Sequence, residues 1–127
     1  MSRGFTRDDT GEVSSDPAVS NADAYTVVFE NERVRVLEYV DQPGHRTTPH
    51  RHPDSVMCAL AGFRRRLHVD GGHRDVEIAE GFVGWLPAQE HAGENIGDTE
   101  THVLFIELKD SSDPAEPSAQ APLGPRL

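Results

Sequence analysis

The residues best suited to chemistry are His50-Arg51-His52 and, forty residues on, His91 with Asn95 behind it. Neutral imidazole is a ligand for Fe, Ni, Cu, Zn or Mn. Two histidines at i and i+2 on a strand point to the same face of a sheet. A third, arriving from a distant strand, completes one face of a coordination sphere and leaves the other positions to water, substrate or oxygen. Three imidazoles bring no charge, so a divalent ion among them keeps its full positive charge and favours an anionic ligand.

The elements that must position these histidines are strands. Tyr25 to Glu30 and Arg33 to Val40 read as a strand pair about an Asn31-Glu32 turn, with valines alternating at 34, 36 and 40. Asp41-Gln42-Pro43-Gly44 has the residues of a turn. Thr47 to His52 and Ser55 to Leu60 are extended, interrupted at Pro53. Phe63 to Val69 and Arg74 to Ala79 flank an Asp70-Gly71-Gly72 hairpin signal, and Phe82 to Leu86 follows a Glu80-Gly81 turn. Thr101 to Lys109 is apolar on both faces, which suits a strand buried on both sides or bridging two sheets. No helix is expected. Many short strands separated by Gly and Pro turns predict an all-β sandwich or barrel.

The chain has 127 residues, enough for one domain with a real core. Its single cysteine, Cys58, excludes an intramolecular disulfide. No apolar run is long enough for a membrane span, and the reading is of a soluble, cytoplasmic protein. A formal charge of −10 argues against nucleic acid and anionic membrane as partners. Residues 1–24 hold five acids and two bases, and residues 110–127 three acids and one base, so the ends supply half of that charge. Both ends are poor in large apolar groups. The expected organisation is a flexible tail over 1–23, a folded domain over 24–109 and a second flexible tail over 110–127.

Two motifs resemble those of the cupins. Gly44, five residues, His50-Arg51-His52 and then Gly62 is similar to the first cupin motif; Gly81, five residues, Pro87, then His91 and Asn95 is similar to the second. Phe29-Glu30-Asn31-Glu32-Arg33-Val34-Arg35-Val36 and Asn95-Ile96-Gly97-Asp98-Thr99-Glu100 also resemble small single-domain bacterial cupins. The resemblance covers roughly residues 27–109. It implies a small antiparallel β-barrel, or jelly roll, with His50, His52 and His91 as metal ligands, Fe foremost. It departs from the pattern at Val56, where a glutamate ligand would stand, and at Gln89, in a second motif one residue short and lacking a glycine.

Three-histidine iron sites in cupin-fold dioxygenases make a metal-dependent dioxygenase acting on a small organic molecule the most concrete expectation. The alternatives are a metal-assisted isomerase or hydrolase, and a non-catalytic cupin that binds or senses a small ligand. Val56 and Cys58 share the strand parity of His52 and are expected to face the barrel interior. Cys58 is read first as a small core residue and second as a thiol near the metal. The Arg64-Arg65-Arg66 run is read as a solvated edge, or as the source of one arginine, Arg66, that holds an anionic substrate. Trp85 is read as core, or else as a pocket wall or dimer contact, and His102 as a satisfied barrel residue before a ligand, on the strand that follows the second motif. Asn95 is read as a cap on the loop that carries His91. A homodimer is expected from the resemblance, with Tyr25, Val27 and Phe29 on one face of the first strand as its candidate contact.

Overall fold

The computed structural model describes residues 16–110; of the tails expected over 1–23 and 110–127, residues 1–15 and 111–127 lie outside them. Alternating strands set the architecture. Within the described residues the chain forms a short helix, α1 (Pro17–Ser20), and strands β1 (Tyr25–Glu30), β2 (Val34–Asp41), β3 (His50–His52), β4 (Ser55–Ala59), β5 (Phe63–Val69), β6 (Gly72–Ile78), β7 (Val83–Leu86), β8 (Gln89–Asn95) and β9 (Thr101–Leu108). They make two antiparallel sheets, a five-stranded one in the order β1-β2-β9-β4-β7 and a four-stranded one in the order β3-β8-β5-β6.

The core lies between the sheets. Its floor on the five-stranded side is Tyr25, Leu37, Tyr39, Met57, Ala59, Val103 and Phe105; Phe63, Leu67, Val76 and Ile78 close it from the other. Burial alternates strictly along β9, with Thr101, Val103, Phe105 and Glu107 inward and the residues between them half-buried. The last strand is thus covered on one face, not both. Gly44 and Gly81, which open the two motifs, have φ values of +88° and +86°, a region that favours glycine and lets the chain turn sharply into each motif.

Two sequence expectations change here. Part of the segment read as a flexible tail is ordered. Asp16 caps α1 through the Ala18 N–H at 3.0 Å and receives both terminal nitrogens of Arg35, at 2.9 and 3.0 Å, from β2. The strand expected to bring His91, given no bounds in the sequence and read beside Asn95 as a loop, is β8. Its polar residues hid the alternation, although Gln89, His91, Gly93 and Asn95 are its inward set.

Candidate metal centre

Antiparallel pairing of β3 with β8 sets His50 directly opposite His91, with His52 opposite Gln89. The i and i+2 histidines share the inward face, as expected, and all three are buried. Their ring centroids lie 4.8–5.1 Å apart, and one potential ligand atom from each falls within 4.8 Å of the other two. An ion with bonds near 2.1 Å holds its nitrogens about 3–3.4 Å apart. The three imidazoles need draw together by little more than about an ångström.

The orientation of each ring decides which nitrogen is offered. His50 Nδ1 lies 2.7 Å from the Thr48 carbonyl, and His91 Nδ1 lies 2.7 Å from Gln89 Oε1. Both acceptors place the proton on Nδ1 and leave the Nε2 lone pair facing inward. His52 Nδ1 faces Glu107 Oε2 at 3.8 Å, and neither atom has a hydrogen-bond partner. Glu107 is buried on β9, and its other oxygen accepts from Arg35 Nε at 2.9 Å. Carbonyl, amide and carboxylate behind three converging imidazoles are the partners that metal-bound histidines use. The donor set fits a divalent transition ion at His50, His52 and His91.

Burial, and then the neighbouring His52, push His50 down to about 3. Burial likewise holds His91 well below the ordinary imidazole range, helped by the other two histidines. Both rings are therefore neutral, ligand-ready imidazoles at ordinary pH.

Tyr25 is the residue the sequence reading missed at the centre itself. Its hydroxyl stands 3.4 Å from both His50 Nε2 and His52 Nε2. Burial raises its phenol above the ordinary value, so it keeps its proton. Beyond it lies a cavity of about 40 Å³, lined by His50, His91, Tyr25, Arg65, Met57 and Phe105 among others, with room for a few waters or one small molecule.

Arg65, from the middle of the arginine run, reaches inward. It is buried, donating to Asp41 Oδ2 at 2.9 Å and to the Tyr39 hydroxyl at 2.6 Å, while Tyr39 in turn bonds Asp41. Asn95 ties this group to the turn after β8: its amide donates to Asp41 Oδ1 and the Thr99 carbonyl, and its Oδ1 accepts from Gly97 N–H. Gly93 makes space for the guanidinium, since a Cβ there would lie 2.7 Å from Arg65 Nε.

The other expected site residues are elsewhere. Arg66 points outward and is paired with Asp75 at 2.7 Å, because Arg65 takes the inward parity of β5. Val56 and Cys58 are half-buried on the outer face of β4, while Ser55, Met57 and Ala59 face the core. The parity argument failed at Pro53-Asp54, where the chain leaves the four-stranded sheet and enters the five-stranded one. The inward residues that flank the expected glutamate position are therefore Ser55 and Met57, of which Met57 lines the cavity. Trp85 pairs with Val56 and shares its outer face, and His102 pairs outward with Glu38 Oε2 at 2.6 Å. None of these five residues faces the cavity.

No protein-family model matches the chain, and no curated protein matches it. Solved structures do. A cupin domain from Bordetella pertussis Tohama I is 33% identical, with a TM-score of 0.63, over 67% of this chain and 91% of that one. A cupin superfamily protein from Desulfitobacterium hafniense is 20% identical with a TM-score of 0.51, over 68% of this chain and 76% of that one. The polyketide cyclase RemF from Streptomyces resistomycificus is 19% identical with a TM-score of 0.54, over 70% of this chain and 66% of that one. The last two show the fold. Identity and coverage against the first, with the two-sheet barrel and its three inward histidines, place the chain in the cupin family. No helix among the described residues is long and apolar enough to cross a membrane.

Proposed function

We propose that this cupin is a cytoplasmic metal-dependent enzyme in which His50, His52 and His91 hold one divalent ion, iron foremost, and which acts as a dioxygenase on a small organic molecule. The observation that supports this most is the orientation of the rings: three Nδ1 atoms face acceptors, which leaves Nε2 of each ring as its ligand, and one ligand atom from each histidine lies within 4.8 Å of the other two. The ion, when bound, would supply Lewis acidity and, as iron, the capacity to activate oxygen. The chain supplies the rest. Three neutral imidazoles leave the centre positive, so a small anionic group is the preferred substrate handle. The apolar lining from Met57, Leu86, Val103 and Phe105 excludes bulk water and limits the substrate to a few heavy atoms inside the barrel. Arg65 holds a positive charge on the cavity wall, shared with Asp41.

A second reading, a metal-assisted isomerase or hydrolase, is favoured by Tyr25. A protonated hydroxyl beside two ligand nitrogens is placed to donate a hydrogen bond to a substrate oxygen. Oxygen uptake by the iron-loaded, untagged protein, with a panel of small thiols, diketones and carboxylic acids, separates the two. Substrate-dependent uptake that disappears in His91→Ala supports the dioxygenase. Product formation without uptake points to the second reading, and iron loading with no change in any substrate leaves only a binding protein.

A further inference from the structure

The Tyr25 hydroxyl lies 3.4 Å from His50 Nε2 and 3.4 Å from His52 Nε2. That is long for a hydrogen bond from a hydroxyl, whose ordinary range ends near about 3.0 Å. It matches the roughly 3–3.4 Å that separates neighbouring donor atoms on one transition ion. The two nitrogens are also the atoms an ion takes. Once their lone pairs are bound they accept nothing, and a buried hydroxyl that faces them is left either unsatisfied or coordinated.

The ring is held where it stands. Tyr25 is 5% exposed at the start of β1, and the register sets it opposite Tyr39. Its ring packs on Tyr39 at 4.6 Å and Phe105 at 5.9 Å, and meets the rings of His50 and His52 at 5.5 and 5.9 Å. The anionic oxygens nearby are committed elsewhere. Glu107 approaches His52 from the other side of the ring, at Nδ1, and is tied to Arg35. Asp41 is held by Arg65, Tyr39 and Asn95. Val56, where the glutamate is expected, faces outward.

We propose that Tyr25 Oη is a fourth protein ligand of the ion, standing in for the carboxylate this chain lacks. The inference rests on the three-histidine reading. Coordination exchanges the phenol O–H bond for a metal–oxygen bond and passes the proton to solvent, as a bound cation does with a thiol. The anionic oxygen cancels one charge of a divalent ion and favours ferric over ferrous iron, because a negative ligand stabilises the higher charge more. The ligand set then spans the barrel, with three nitrogens from the four-stranded sheet and one oxygen from the edge strand of the five-stranded sheet. A coordinated oxygen has no proton to give, which takes Tyr25 out of the donor role in the isomerase or hydrolase reading.

The colour of the ferric protein tests this. Metal-free full-length protein is loaded anaerobically with one equivalent of Fe(II), oxidised with one equivalent of ferricyanide, which accepts the single electron lost, and desalted. A phenolate bound to ferric iron absorbs in the visible by charge transfer, and excitation in that band enhances tyrosinate ring modes in the Raman spectrum. Imidazole ligands give no such modes. The wild type should show both signals. Tyr25→Phe, which keeps the ring and loses the oxygen, should lose both while its metal-free form still takes up one equivalent of cobalt in a folded barrel. Tyr39→Phe, at the other of the chain's two tyrosines, should keep both. A ferric wild type without the band, whose metal-free form binds one equivalent of cobalt, overturns the proposal and leaves the three-histidine reading standing. A band that survives in Tyr25→Phe also overturns it. A wild type that takes up neither metal overturns the three-histidine reading and the proposal with it.

Discussion

The two sheets of the barrel are opposites. The four-stranded sheet is charged outside and carries the three histidines inside; the five-stranded sheet is apolar outside and supplies Tyr25 and Glu107 inside. Metal ligands thus come from one sheet, and the groups that orient or face them come largely from the other. Closing the barrel is what brings His52 within reach of Glu107, so the centre reports on the packing of the two sheets and not on either alone.

The largest effect expected from that arrangement is on acid stability. In the folded protein His50 is held at about 3 and His91 well below its ordinary value, whereas both titrate near 6.5 when unfolded. The unfolded chain therefore takes up protons first. The stability contributed by the two neutral rings is complete above about pH 6.5 and falls as the pH drops toward 3, by about 1.4 kcal/mol per pH unit for each ring. Urea denaturation of metal-free protein should show a loss of roughly 3 kcal/mol between pH 6.5 and pH 5 that a His50→Asn/His91→Asn variant largely lacks. A flat profile would mean that the four-stranded sheet does not desolvate its histidines.

The join between the sheets is the next place to press. Gly93→Ala puts a methyl group into the space of Arg65 Nε and should push the guanidinium off Asp41. Overpacking beside a buried ion pair costs about 2–4 kcal/mol, read as a lower denaturation midpoint at pH 7. A loss below about 0.5 kcal/mol would show that Arg65 has room to move and does not tie β2 to β5.

A smaller effect sharpens the division between ligand and orienting group. Glu107→Leu leaves His52 Nδ1 without an acceptor and should weaken metal affinity by about 10- to 100-fold, while Glu107→Gln, which still accepts, retains most of it. Equal affinities in the wild type and Glu107→Leu would show that the five-stranded sheet has no part in the centre.

Much of this was legible in the sequence for a simple reason. Period-two alternation and turn glycines act locally, so β1, β5 and β9 fall close to where their residues place them, and the i, i+2 spacing put His50 and His52 on one face. What local pattern cannot carry is the change of sheet. Parity counted from His52 through Pro53-Asp54 sent Val56 and Cys58 inward, and the crossing reverses it. The arginine run allowed an inward member without saying which, because three like residues have no phase of their own; Arg65 takes the inward parity of β5, opposite Asn95, and Gly93, opposite Leu67, leaves room for its guanidinium. Glu107 and Tyr25 lie on the inward parity of their strands, beside Phe105 and opposite Tyr39, and a polar residue on an apolar face was the signal that could have found them.

The central claim is that one divalent ion is held by His50, His52 and His91, and cobalt titration of the metal-free protein tests it most directly. The d–d absorption of Co(II) reports both stoichiometry and ligand type. The wild type should saturate at one equivalent with a nitrogen-ligand spectrum, and His50→Ala, His52→Ala and His91→Ala should each lose that signal while keeping the circular dichroism of the folded barrel. No saturable cobalt spectrum in the wild type, or an unchanged one in the three variants, would contradict it.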